Sequence, residues 1–277
     1  MRTGLAALLF LAFGLVQPAG AAGKDTLDAG YTIAFWTIAF GHTDYHGTFR
    51  DGGYSAASHF ETTGIISAFW KSIIDATVSG RFESHGVKPL VYDSYNRRSS
   101  KKVQQVKVSF TSPVPETYAN PPYNTTKYPV SDQLKKEAVD PMSAITMILA
   151  GLRASDSNPC GSGVQVFDGR RRYDVTFTYL RDEPAKLDNG MFSGVAHLCQ
   201  IHYRQIAGYK QKILKEGEAL PPMFAWCADV PSASAPNGHL VVPLKLWSTL
   251  TWGTVSATLD SLKVDGSAPD FSARAAH

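Results

Sequence analysis

The chain has 277 residues, a formal net charge of +3, 44% hydrophobic residues and 11% aromatic residues. This composition is typical of a folded globular protein and excludes a disordered chain. The small charge excess does not indicate nucleic-acid binding, and the basic clusters at Arg97-Arg98 and Arg170-Arg171-Arg172 are expected at solvated strand edges.

The N-terminus has the pattern of a secretory signal peptide. Arg2 precedes an apolar run from Leu5 to Val16, and Ala19-Gly20-Ala21 follows as an Ala-x-Ala cleavage site. The run is shorter than the roughly 20 residues that a membrane-spanning helix needs, and an uncleaved anchor is the alternative. We expect residues 1–21 to be removed and the mature chain to be periplasmic; no later segment predicts a membrane-spanning helix.

Three cysteines follow: Cys160, Cys199 and Cys227. In an oxidising compartment an even number of them is expected to pair. Cys160 and Cys199 both lie beside strongly patterned strands, so we predict a disulfide between them, with pairings that use Cys227 as the alternatives. The apolar surroundings of Cys227 favour a buried, inert thiol.

Strand patterns dominate the chain. Tyr31 to Phe40 is a run of aromatic and β-branched residues, and Asp51-Gly52-Gly53 is a strong hairpin turn. From Arg172 to Leu180 apolar and polar residues alternate, as in a strand with one buried face. Thr111 to Pro129 contains five prolines and predicts a loop.

Two segments predict short helices. Apolar residues recur at helical spacing between Ile65 and Ile74. Asp140 and Pro141 have the pattern of an N-cap and a first helical residue. The apolar stripe of this second helix comprises Met142, Ile145, Ile148, Leu149 and Leu152. Core packing is one interpretation of both stripes; the other is that they cover the open face of a curved sheet.

These patterns predict a mainly β protein in which a curled antiparallel sheet forms an incomplete, half-open barrel with two short covering helices. After the signal peptide we expect a single β-rich domain over residues 22–265 and a flexible tail over residues 266–277.

Several segments also resemble a known family. The most specific is Val166-Phe167-Asp168-Gly169-Arg170-Arg171-Arg172-Tyr173-Asp174, and weaker matches include Asp140-Pro141-Met142-Ser143-Ala144 and Ile206-Ala207-Gly208-Tyr209. Together they resemble DUF3108, a family of uncharacterised bacterial exported proteins, over roughly Tyr31 to Trp247. The resemblance implies export and a β-rich fold, and it implies no reaction.

No motif in the sequence indicates catalysis. Gly-x-Ser-x-Gly and Cys-x-x-Cys are both missing. In an extended strand, the side chains of His42, Asp44 and His46 would share one face, and His59 could join them across a turn. Imidazole and carboxylate groups are suitable ligands for zinc or copper. The other explanation is that these are ordinary polar side chains at the protein surface, and we predict no metal site, no cofactor and no catalytic residue. An enzyme with an unrecognised activity is the third hypothesis for function.

Aromatic residues are more numerous than a thin sheet core needs. An aromatic concave face can hold an apolar ligand. We therefore predict a periplasmic envelope protein that binds a lipid-like ligand or a protein partner, with a structural scaffold for envelope integrity as the alternative. The predicted ligand-binding residues are Phe35, Phe69, Trp70, Ile148 and Leu149.

Overall fold

The computed structural model describes residues 25–64, 67, 70–84, 86–99, 102–155, 157–216, 221–233, 235–269 and 271. The predicted signal peptide and Phe69 lie outside the described residues. In the segment predicted as a flexible tail, the Phe271 ring packs edge-on against Phe192 at 5.2 Å.

Thirteen strands form one antiparallel sheet in the order β7-β6-β5-β4-β3-β2-β1-β13-β12-β11-β10-β9-β8. The strands are β1 (Asp25–Phe35), β2 (Ile38–Arg50), β3 (Gly53–Thr62), β4 (Ile73–Glu83), β5 (Gly86–Ser99), β6 (Lys102–Ser109), β7 (Glu116–Asn120), β8 (Val164–Phe167), β9 (Arg172–Lys186), β10 (Ser193–Ala207), β11 (Met223–Pro231), β12 (His239–Leu250) and β13 (Gly253–Val264). Two meanders, β1–β7 and β8–β13, are therefore joined by the pairing of β1 with β13.

The sheet curls until its two ends approach each other without pairing. The turn between β8 and β9 packs on β6: a Cβ added at Gly169, which has a φ of +88°, would lie 2.6 Å from Val106 Cγ1. Val139 lies beside the edge of β8, where its N–H donates to Gln165 O at 3.0 Å and its carbonyl accepts from Phe167 N–H at 2.8 Å. The predicted fold class, a curled and incompletely closed antiparallel sheet with short helices, is confirmed.

Three short helices are described: α1 (Asp132–Lys136), α2 (Pro141–Leu149) and α3 (Gln211–Glu216). Helix α2 contacts β3, β4, β5, β8 and β12, which belong to both meanders, so it occupies the interior of the curl. Its side chains Met142, Met147 and Leu149 are at most 4% exposed. Burying such side chains contributes about 1.5–3 kcal/mol each. The apolar stripe of α2 therefore packs in the core and does not cover the open face of the sheet.

The start of α2 follows the predicted capping pattern. The Asp140 carboxylate accepts a hydrogen bond from Ser143 N–H at 2.8 Å, and Pro141 occupies the first turn. Burial raises the pKa of Asp140 to about 6, although hydrogen bonds from Ser143 oppose this shift. The predicted stripe is wrong at Ile145, which is 42% exposed, because α2 instead buries its polar Ser143 and Thr146.

Two strand assignments differ from the sequence-based prediction. Ile73 and Ile74 do not continue a helix but begin β4, where they pair with Arg97 and Asn96 of β5. β-branched residues favour strands, and here pairing on both sides of β4 outweighs the helical spacing. The single strand predicted from Tyr31 to Phe40 is divided by a tight turn in which Trp36 has a φ of +52°.

The predicted loop from Thr111 to Pro129 contains the edge strand β7. Its five residues pair with β6, and a cis Asn120–Pro121 peptide bond follows directly. Proline is tolerated at the end of an edge strand because no further ladder hydrogen bond is required there. The proline count therefore predicted the irregular parts of this segment but not the short strand within it.

A disulfide links Cys160, in the segment after α2, to Cys199 on β10, with a Cα–Cα distance of 5.8 Å. This pairing agrees with the predicted one. Cys227 is a free, buried cysteine on β11, beside Cys199 in a small second core. The disulfide therefore links the segment that follows the interior helix α2 to strand β10 of the sheet.

Candidate functional site

Large apolar side chains are exposed at one end of the sheet. Trp36 lies in the β1–β2 turn and Trp252 in the β12–β13 turn, and these turns are adjacent because Phe35 pairs with Val255. Trp36 and Trp252 are each 64% exposed, Ile38 is 61% exposed and Trp70 is 52% exposed. We call Phe35, Trp36, Ile38, Phe40, Trp70 and Trp252 the mouth cluster.

Phe35 is the centre of the mouth cluster. Its ring stacks on Trp36 with centroids 5.3 Å apart, and it also contacts Trp252 in a tilted arrangement with centroids 5.1 Å apart. Gly253 makes this contact feasible: a Cβ there would lie 2.3 Å from Phe35 Cζ, and the φ of +150° is one that L-residues rarely adopt. The three rings are therefore held in a fixed arrangement by two neighbouring hairpins.

The mouth cluster surrounds an apolar pocket of about 300 Å³. Every lining residue is apolar or aromatic: Phe35, Ile38, Phe40, Trp70, Trp252 and Val255. A concave site with this lining favours an aliphatic or aromatic ligand and offers no side-chain charge to a polar one.

The structure brings together two of the predicted ligand-binding residues. Phe35 and Trp70 line the mouth pocket. Leu149 is 4% exposed within the main core, and Ile148 borders a void of only about 20 Å³ beside α2, so neither belongs to this pocket. These two residues are separated from the mouth because α2 packs inside the curl rather than across its open end.

Two further tryptophans, Trp226 and Trp247, form a separate cluster. Trp247 stacks on Phe224 at 5.8 Å and meets Trp226 edge-on at 5.2 Å. Trp226 Nε1–H donates to Glu183 Oε1 at 2.7 Å. These rings stabilise β11 and β12 against each other and do not line the mouth pocket.

The distinctive Asp-Gly-Arg-Arg-Arg-Tyr-Asp segment forms the β8–β9 turn and the start of β9. Asp168 caps the turn, because its carboxylate accepts from Arg170 N–H at 2.9 Å and from Arg171 N–H at 2.6 Å. The guanidinium of Arg170 lies 5.1 Å from the ring centre of Tyr123, and that of Arg171 lies 5.4 Å from Tyr209. We call residues 168–171 the signature turn.

The third arginine of this segment has a structural role. Arg172 is 2% exposed, and its guanidinium donates to Asp174 Oδ1 at 2.6 Å and to the Leu134 carbonyl of α1 at 3.2 Å. Asp174 also accepts from Arg204 at 2.6 Å. Loss of the carboxylate partner of a buried arginine is strongly destabilising, so Arg172 depends on Asp174. The hydrogen bond from Arg172 to the Leu134 carbonyl holds α1 against β9.

The sequence profile of DUF3108, described as a protein of unknown function, matches residues 26–260. The chain belongs to the DUF3108 family. The match includes the mouth cluster, the interior helix, the signature turn and both bridged cysteines.

The family description assigns no reaction to DUF3108 proteins. Among solved structures, the crystal structure of a beta-barrel-like protein of domain of unknown function DUF1849 from Brucella abortus is similar at 10% sequence identity and a TM-score of 0.45. That match covers 87% of this DUF3108 chain and 98% of the other chain. A comparison with curated proteins gives no match.

The histidines named as metal-ligand candidates in this DUF3108 protein lie on neighbouring strands. Each has a carboxylate partner of its own: His42 with Asp44 at 3.1 Å, His46 with Asp28 at 2.5 Å and His59 with Asp75 at 2.7 Å. In the part of the chain that the structure describes, no group of three His, Cys, Asp or Glu residues could hold a metal ion. The His46–Asp28 and His59–Asp75 pairs link adjacent strands, whereas His42 and Asp44 both lie on β2.

Two other titratable groups lie near the second core. His197 lies between Asp229 and Asp182, and the hydrogen bond to Asp229, followed by that to Asp182, raises its pKa above the usual value. Burial raises the pKa of Cys227 to about 12. A thiol of that pKa is a poor nucleophile at neutral pH, which agrees with the inert cysteine that the sequence predicts.

Two larger surface clefts, of about 830 and 750 Å³, border Ser112, Pro113 and Pro115. Their linings mix charged, polar and apolar side chains, unlike the uniformly apolar mouth pocket. The mouth pocket is therefore the site best suited to an apolar ligand.

Over the described residues, no helix has the length and apolar character needed to cross a bilayer.

Proposed function

We propose that this DUF3108 protein is a non-enzymatic protein of the periplasmic cell envelope that binds an apolar, lipid-like ligand in the mouth pocket. The observation that supports the proposal is the set of exposed rings around an apolar pocket: Trp70 and Trp252 are 52% and 64% exposed. Exposing several large apolar side chains together is costly in water, and such patches commonly mark binding sites.

The pocket chemistry favours an aliphatic chain over a polar ligand. Phe35, Phe40 and Val255 form its wall and offer no hydrogen-bonding side chain. The two tryptophan rings at its rim can contact an aliphatic chain while keeping their indole N–H groups accessible to water. The same surface would also accept an apolar side chain from an envelope protein partner, which is the second form of the binding hypothesis.

A structural scaffold is the second candidate function. The observation that favours it is the interior position of α2: Met142, Met147 and Leu149 are buried where a deep ligand cavity would otherwise lie. A scaffold of this kind would bind no apolar ligand at the mouth.

A titration with an apolar fluorescent probe, N-phenyl-1-naphthylamine, separates the two candidates. We expect the wild type to bind the probe, and a Trp70→Ala, Trp252→Ala double variant to bind it at least about tenfold more weakly, equivalent to about 1.4 kcal/mol. Both residues are more than half exposed, so the double variant is expected to fold. A wild type that binds no probe supports the scaffold instead.

The matched control is a Tyr118→Ala, Val195→Ala double variant. Tyr118 and Val195 are 57% and 65% exposed but lie on β7 and β10, outside the mouth cluster. We expect its probe affinity to equal that of the wild type. Equal weakening in both double variants would show that the probe detects exposed apolar surface in general, against a mouth-specific site. Circular dichroism checks that each variant retains its strands.

A further inference from the structure

A further cleft, of about 530 Å³, lies between the signature turn and the β5–β6 hairpin. Its lining differs from that of the mouth pocket because it is predominantly polar and basic. The lining side chains that matter are Asn96, Arg98, Lys102, Tyr123, Arg170 and Arg171.

The four basic side chains of this cleft form no ion pair with any carboxylate in the described part of the chain. Within the described ranges, no carboxylate lies within 4.0 Å of Arg98, Lys102, Arg170 or Arg171, whereas the neighbouring Arg172 is paired with Asp174 at 2.6 Å. Asp168 also borders the cleft, where its carboxylate accepts from two backbone N–H groups of its own turn and attracts Arg170 and Arg171, so four basic groups face one carboxylate. The cleft therefore carries an excess of positive charge.

The two guanidinium groups of the signature turn are held in place. Arg170 stacks on Tyr123 and Arg171 on Tyr209, and the Asp168 cap fixes the backbone that carries them. An arginine stacked on a ring keeps the N–H groups at its edge available for hydrogen bonds. Planar guanidinium groups bind phosphate through paired N–H···O bonds, so this arrangement is preorganised for an anion.

An unused hydrogen-bonding atom lies in the same cleft. Asn96 Oδ1 is buried and has no hydrogen-bond partner among the described residues. Buried polar atoms are normally satisfied, and this acceptor suits a hydroxyl donor such as the one on a monohydrogen phosphate. It is independent of the basic charges and indicates a ligand with both acceptors and a donor.

We propose that this cleft is a phosphate-binding site in which Arg170 and Arg171 hold the phosphate oxygens while Arg98 and Lys102 add attraction. The proposal does not depend on an apolar ligand at the mouth. The phosphate could belong to a lipid headgroup or to a soluble phosphate compound, because both present anionic oxygens. A phosphodiester headgroup has no P–OH, so a hydroxyl group elsewhere in that headgroup would be the donor to Asn96. Asn96 pairs with Ile74 near the start of β4, shortly after Trp70, so the cleft and the mouth lie toward the same end of the strands.

Calorimetric titration at low ionic strength tests the site with inorganic phosphate as the probe. We expect measurable binding that weakens with added salt, and at least about tenfold weaker binding for Arg170→Gln, Arg171→Gln, equivalent to about 1.4 kcal/mol. The matched control is Arg50→Gln, Arg181→Gln, which removes the same charge from side chains that are 54% and 62% exposed and lie outside the cleft. We expect the control to bind like the wild type.

A second double variant, Arg98→Gln, Lys102→Gln, alters only exposed residues of the β5–β6 hairpin and keeps the signature turn intact. It is expected to weaken phosphate binding as well, so the test does not depend on the fold of one variant. No binding by the wild type, or equal weakening in the Arg50, Arg181 control, would overturn the proposal.

Vesicle sedimentation then distinguishes the sources of phosphate. Three results together would identify a lipid headgroup. The protein should bind phosphatidylcholine vesicles that contain phosphatidylglycerol, it should not bind diacylglycerol emulsions that lack phosphatidylglycerol, and inorganic phosphate should compete with the vesicles. Binding of inorganic phosphate without vesicle binding would identify a soluble phosphate compound. Both outcomes support a phosphate site.

Discussion

The Tyr45 hydroxyl on β2 lies 2.9 Å from Thr146 Oγ1 on the interior helix α2, and both residues are buried. Thr146 donates its own hydroxyl hydrogen to the Met142 carbonyl at 2.9 Å, so Tyr45 is the donor in this pair. The contact places a polar helix face against the sheet without leaving an unsatisfied hydroxyl, which explains how α2 can occupy the core.

The first prediction concerns this pair. Thr146→Val removes the hydrogen-bond acceptor of the buried Tyr45 hydroxyl. The unsatisfied hydroxyl should lower the free energy of unfolding by about 1–3 kcal/mol. Tyr45→Phe should cost about 1 kcal/mol, and the double variant less than the sum of the two. Chemical denaturation measures all three. Thr77→Val on the exposed face of β4 is the control; additive losses in the double variant would contradict the pairing.

The second prediction concerns pH. Because burial raises the pKa of Asp140 to about 6 from 3.8, the folded state holds this proton at a pH where the unfolded state has lost it. The contribution of Asp140 to the free energy of unfolding should therefore rise as pH falls from about 7 to 4, by up to roughly 3 kcal/mol.

Asp140→Asn tests that sign, because asparagine caps helices about as well as aspartate but does not titrate. We expect the free energy of unfolding of the wild type to rise relative to that of Asp140→Asn as the pH falls from about 7 to 4. Asp51→Asn, at a side chain that is 91% exposed, is the control and should leave the pH dependence unchanged. An identical pH dependence in wild type and Asp140→Asn would refute the shift.

Much of the fold is predictable from local patterns because they depend on neighbours in the chain. The Asp51-Gly52-Gly53 turn, the alternation after Arg172 and the Asp140-Pro141 cap all form as predicted. The position of α2 is not local. It depends on Tyr45 and Tyr54 reaching Thr146 and Ser143 from strands about a hundred residues earlier, and the spacing of apolar residues contains no trace of those hydrogen bonds.

The candidate site shows the same division. Its aromatic character follows from composition, and two of the residues predicted to bind the ligand, Phe35 and Trp70, line the pocket. Trp252 joins them only because β1 pairs with β13, a contact between the two ends of the domain. A helical stripe alone predicts Ile148 and Leu149 at the site, and such a stripe does not distinguish packing against a ligand from packing in the core.

The third prediction concerns the cysteines. Replacing either Cys160 or Cys199 by Ser should lower the free energy of unfolding by about 2–5 kcal/mol. Cys227 should react with a thiol reagent only after denaturation, because burial raises its pKa and blocks access. Non-reducing peptide mapping of the native protein checks the pairing, and a peptide that joins Cys227 to either partner would show the assignment to be wrong.

The fourth prediction concerns export. Arg2, the Leu5 to Val16 run and Ala19-Gly20-Ala21 predict that the mature protein begins near Ala22. The intact mass of protein from a periplasmic extract should match a chain without residues 1–21. An Ala19→Gln, Ala21→Gln variant should keep its leader, since the cleavage site requires small residues. A wild-type mass that includes Met1 would argue against processing.

Native mass spectrometry of protein purified from the periplasm tests the central claim most directly. If the mouth pocket holds a lipid-like ligand, part of the wild type should carry an added mass that dissociates on collisional activation and matches an extractable lipid. The Trp70→Ala, Trp252→Ala variant should lose that mass, and the Tyr118→Ala, Val195→Ala control should keep it. A wild type that carries no ligand, or an added mass that persists unchanged in the Trp70, Trp252 variant, would contradict the account.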